Sequence, residues 1–197
     1  MASAADGVGA EHRLARTLLE TSRRTFLEEL RGLTIEDALD AGGGFRSVLG
    51  LMKHVAGWAE VYRSYAFDAQ PRNWDAAGWP RGLRHRIEPT TEYFDEVRAW
   101  FERTSAAWIA AADMPADLEE PRPVHWGGTM PLGDLYATVA GHWAYHAGEI
   151  NEILAIRRAE AWEYGEEVEE NHIDTTGHGV RPAWMSDEEA ARFERRG

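Results

Sequence analysis

Cysteine is absent from the 197-residue chain, which excludes disulfides and thiolate metal ligands together. Any metal here must be held by His, Asp or Glu. Lysine is nearly absent too, with Lys53 the only one, and 21 basic residues against 34 acidic ones leave a net charge of −13. That balance argues against nucleic acid, whose binding needs a basic face to displace counterions, and against anionic membrane surfaces. No stretch approaches the roughly 20 apolar residues of a membrane span. The opening MASAADGVGAEHRL has no basic segment followed by an apolar run, so no secretory signal is read and a cytoplasmic location is expected.

What is present is ordinary for a soluble domain: 44% hydrophobic and 28% charged residues, with nine tryptophans. Most tryptophans are expected to fill a core, and some to line a pocket. Four segments carry helical periodicity. Over 11–31, Leu14, Leu18, Leu19, Phe26, Leu27 and Leu30 recur at helical spacing, with Gly32 as a stop. Thr34 to Gly44 reads as a loop ending in a flexible triple glycine. From about 45 to 67 one stripe holds Leu51, His54, Trp58, Val61 and Tyr65, with Val48, Met52, Val55, Ala59 and Tyr62 beside it. Residues 69–88, rich in Pro, Gly and Trp, form a long irregular crossover that suits a pocket wall, with His85 in solvent among arginines. Pro89-Thr90-Thr91-Glu92 opens a third helix, striped by Phe94, Val97, Phe101, Ser105 and Trp108 and ending near Asp113. The proline- and glycine-rich stretch 116–131, with His125-Trp126 inside it, allows a short extended pair confined to an edge. A fourth helix then runs from about Pro131 to Glu160.

That last helix carries the segment around which the chain is organised. His142 and His146 lie one turn apart on the same face, their Cβ atoms about 6 Å apart, so both imidazoles can reach one divalent ion. Leu132, Leu135, Val139, His142, His146, Ile150 and Ile153 follow at steps of three or four, which turns the pair toward the core. His54 points inward from the second helix in the same way, bringing the count to the three ligands of an open metal site. The alternative is that each is a core histidine bonded to a carbonyl or carboxylate. The pair is not a metalloprotease motif, because the position after its first histidine, which would need a glutamate base, is Trp143.

Four helices with long crossovers predict an all-α four-helix bundle over residues 1–160, and such bundles build metal sites between facing helices. Residues 161–197 read as a separate acidic segment and tail: Glu163 to Glu170 is a solvated run, and Ser186-Asp187-Glu188-Glu189 caps a short terminal helix. The tail's His172, His178 and Trp184 are expected either to fold over the open end of the bundle or to make a surface or homodimer contact. Its two histidines are not expected to be ligands.

His54 within Leu51-Met52-Lys53-His54-Val55-Ala56-Gly57, followed by His142-x-x-x-His146-Ala147-Gly148-Glu149, resembles the DinB/YfiT-like metalloprotein superfamily over about residues 11–160. That family shows a His on its second helix and a His-x-x-x-His-x-Gly-Gln/Glu pattern on its fourth. The resemblance implies that His54, His142 and His146 bind one divalent metal, often zinc or nickel, with positions left open for water or substrate. Several members transfer or isomerise small electrophiles with mycothiol, bacillithiol or glutathione, so it further implies a metal-dependent thiol transferase acting on a small molecule. Position 149 is Glu here, where Gln is frequent. From the residues alone, Glu149 is a proton acceptor, an outer hydrogen-bond partner of a ligand or a solvent-facing residue, and Trp58, Tyr62 and Tyr145 either line the pocket or pack. A metal-dependent hydrolase and a non-catalytic metal- or ligand-binding bundle remain the competing readings.

Overall fold

The computed structural model describes residues 9–39, 46–72 and 87–162, with side chains to residue 156. The triple-glycine linker, His85 with most of its crossover, the acidic run, the tail histidines and the terminal capping box lie outside the described residues. The order is α1 (Ala10–Glu29), α2 (Ile35–Leu39), α3 (Val48–Phe67), α4 (Thr91–Ala112), β1 (Pro121–Pro123), β2 (Thr129–Pro131) and α5 (Leu132–Trp162). The four long helices form the all-α bundle, with α5 packed mainly on α1 and α3 mainly on α4.

Each long helix buries a stripe, and three of the four stripes are those the periodicity gives. In α4 the residues Phe94, Val97, Phe101, Ser105 and Trp108 are all buried. Thr90 caps this helix, its Oγ1 accepting from the Tyr93 amide at 3.2 Å, and so satisfies one of the donors a helix start leaves open. Ser47 does the same for α3 by accepting from Gly50. Trp108 crosses between the two, donating its indole N–H to the Ala59 carbonyl at 2.8 Å.

In α1 the buried line is Ala15, Leu19, Ser22 and Phe26, while Leu14 and Leu18 are 60% and 43% exposed. Counting leucines therefore places the α1 stripe off to one side. The small side chains of Ala15 and Ser22 occupy the core-facing positions, and Phe26 meets Phe101 of α4 with ring centroids 4.5 Å apart.

Two local departures have clear causes. The stretch read as loop after Thr34 contains the single-turn α2, because Thr34 and Asp37 cap reciprocally. The Asp37 amide donates to Thr34 Oγ1, and the Thr34 amide donates to the Asp37 carboxylate. Pro131 ends β2 instead of opening the helix, so α5 begins one residue later.

The short extended pair forms an antiparallel hairpin with Arg122 opposite Met130. Its turn runs through Gly127 and Gly128 at φ 95° and 82°, a region where a side chain would be strained. Amides at the start of α5 latch it to the preceding loop, Leu132 to the Glu120 carbonyl and Gly133 to that of Leu118.

Candidate metal centre

The cap at Ser47 fixes where α3 begins and so sets His54 two turns inside it, facing α5. From α5, His142 and His146 lie on the stripe that Leu135 and Val139 bury below them and Ile150 and Ile153 above. The structure thus brings together all three histidines singled out in the sequence. His142 Nε2 lies 3.2 Å from His54 Nε2 and 3.1 Å from His146 Nε2. The three candidate ligand atoms all fall within 4.8 Å of one another.

The charge state of the cluster follows from its surroundings. Burial, then the neighbouring His146 and Arg46, push the His54 pKa down to about 4, although Glu149 opposes the shift. Burial, with His146 and His54 beside it, takes His142 down to about 3. Both imidazoles are therefore neutral at physiological pH, the form that coordinates metals.

Glu149 hydrogen-bonds His146 Nδ1 from one turn further along α5. A carboxylate only accepts, so Nδ1 carries the proton and Nε2 is the His146 nitrogen turned to the other two rings. His142 Nδ1, in contrast, is buried with no hydrogen-bond partner among the described residues. Three converging imidazoles are a donor set that fits one divalent ion, with the Glu149–His146 pair supplying the outer contact typical of metal-ligating histidines.

The cluster opens on a cavity. A cavity of about 480 Å³ has His54, His146 and Glu149 in its wall, with Leu51 and Ile153 as apolar lining and Arg46, Tyr145 and Glu152 as polar lining. Tyr145 is 66% exposed there. On the other side the rings of Trp58 and Tyr62 stand 6.2 Å from His54 and His142 respectively. His125, from the hairpin turn, stacks on Trp58 at 4.4 Å and reaches Tyr62 at 5.2 Å. Burial lowers the His125 pKa. Trp143, where a metalloprotease would carry its base, is fully buried edge-on to Phe101 at 5.4 Å.

Sequence reading did not assign a role to Arg46, Glu152 or His125. Glu152 sits one turn beyond Glu149 and could have been placed by periodicity. Arg46 and His125 are brought in by a helix start and a hairpin whose positions no spacing rule supplies.

An all-α bundle with three histidines converging from facing helices defines a metal-site protein of the helix-bundle class. The family model of the DinB superfamily matches residues 18–150, well over half of the chain, and the chain belongs to that superfamily. No curated protein matches the chain.

Proposed function

We propose that this member of the DinB superfamily is a cytoplasmic metal-dependent transferase that passes a low-molecular-weight thiol, of the mycothiol kind, to a small electrophile. The observation that carries the proposal is the convergence of three imidazole nitrogens beside an open cavity whose wall includes His54 and His146. His54, His142 and His146 would hold one divalent ion, zinc or nickel being the metals that the family resemblance implies. Such an ion would supply the Lewis acidity needed to ionise, at neutral pH, a thiol that titrates near pH 8.5 unaided.

The other roles belong to side chains of the chain itself. Glu149 holds the proton on Nδ1 of His146 and thereby fixes which nitrogen faces the cluster. It also lines the cavity, where its carboxylate can take up the thiol proton. The sulfur electron pair then forms the new bond to the electrophilic carbon, and the displaced pair leaves with the departing group. Leu51 and Ile153 exclude water from one wall, while exposed Tyr145 stands at the opening. Thiol attack fits this site better than water attack. Water needs a strong, well-placed base, and Trp143 fills the position from which a metalloprotease supplies one.

The test is a cobalt- or nickel-substituted sample titrated with mycothiol, bacillithiol and glutathione while the sulfur-to-metal charge-transfer band is followed. A band in wild type, lost with metal in the triple alanine variant of His54, His142 and His146, is expected. Metal uptake with no band from any thiol would transfer the proposal to the hydrolytic or non-catalytic reading. Unchanged metal affinity in the triple variant would remove the site itself.

A further inference from the structure

Among the described residues, the cavity wall carries one cation, Arg46. No carboxylate lies within ion-pair distance of Arg46 among the described residues, although the chain as a whole carries 34 acidic residues against 21 basic ones. Arg46 directly precedes Ser47, the N-cap of α3, and the first turn of that helix has no acidic side chain. The guanidinium and the positive end of the helix therefore add at the same edge of the cavity. The opposite charges are placed otherwise: Glu149 is engaged with His146, and Glu152 comes from the later part of α5. Leu51, one turn before His54, and Ile153 are the apolar residues of the same wall.

We propose that Arg46 anchors a carboxylate on the small molecule that enters this cavity, and so sets the substrate class as an acid with a short apolar stem. The proposal rests on the cavity being the substrate site of the transferase reading. A guanidinium presents paired N–H donors that match a carboxylate in two parallel hydrogen bonds, which an ammonium cannot do. A cavity of about 480 Å³ is in the range that holds one small ligand. Arg46, His54 and His146 line the same cavity, so an acid bound at Arg46 shares that space with two of the histidines without having to contact them.

The test uses matched probes on the cobalt-loaded full chain at low salt: 3-mercaptopropionate against 2-mercaptoethanol, and propionate against 1-propanol, each titrated calorimetrically into wild type, Arg46→Gln and Arg46→Lys. The two acids should bind wild type about tenfold tighter than Arg46→Gln, with Arg46→Lys between them and the neutral probes unchanged. Equal affinity of the acids for wild type and Arg46→Gln overturns the anchor, and so does failure of propionate to bind wild type. An equal loss for charged and neutral probes also overturns it, because that pattern reports a distorted cavity. If neither thiol gives a sulfur charge-transfer band while propionate still loses its tenfold, the transferase reading falls and the anchor stands.

Discussion

The two sides of the histidine cluster are built from different materials. Behind it, Trp58, Tyr62 and His125 pack with ring centroids 4.4 to 6.1 Å apart. In front of it, Arg46, Tyr145, Glu149 and Glu152 line an open cavity. Rings packed this closely hold their neighbours still. A charged, open wall leaves the bundle less tightly packed but gives a small molecule somewhere to bind. The difference sets a ring-packed α3–hairpin side against an open, charged side between the start of α3 and the middle of α5.

The largest expected effect is on stability, and it separates the two sides directly. Trp58→Ala removes a half-buried indole that touches His54, Tyr62 and His125, and should cost about 2 kcal/mol. Tyr145→Ala, on the open side and 66% exposed, should cost less than about 0.5 kcal/mol. Urea denaturation of the metal-free variants measures both. Equal costs would mean that the two sides do not differ as described.

The same division marks what could be read in advance. The bundle, the inward faces of α3, α4 and α5 and the three histidines follow from a period near 3.6 and from the rule that buried polar groups need partners. The position of Glu149 beside His146 follows from a spacing of three on one helix. The α1 face does not, because core contact there is decided by close approach at Ala15 and Ser22 and not by the number of leucines. His125 reaches the cluster through a hairpin whose turn depends on two glycines at positive φ, and Arg46 through the start of a helix. These are matters of tertiary placement, which local periodicity does not encode.

A smaller effect is expected from Glu149→Gln. The amide keeps the shape and can still accept from His146 Nδ1, but it loses the negative charge that holds the proton there. Metal affinity should fall about tenfold, at the low end for loss of a partner behind a ligating histidine, with the stoichiometry kept. Competition against a chromophoric chelator measures it. Among the described residues His142 Nδ1 has no such partner, so there the site is held more firmly at His146 than at His142. Unchanged affinity in Glu149→Gln would show that the carboxylate does not position its neighbour.

The smallest effect near neutrality comes from protons, and it acts on the fold before any metal is added. An unfolded chain protonates its histidines near pH 6.5, whereas His142 and His54 in the folded protein resist protonation down to about 3 and about 4. Between these limits the unfolded state binds more protons, so the stability present above pH 6.5 is lost progressively as the pH falls. From pH 7 to pH 6 the loss is about 0.7 kcal/mol for His142, and less for His54, which water screens more. It continues until the folded-state values are reached. Urea midpoints of the metal-free protein at pH 7, 6 and 5 should therefore fall step by step, and a His142→Phe variant, which cannot protonate there, should fall less. Imidazole resonances of His54 and His142 followed by NMR should show midpoints well below 6.5. If both titrated near 6.5 with a flat stability profile, water would reach the cluster from behind as well as from the cavity, and the contrast between its two sides would disappear.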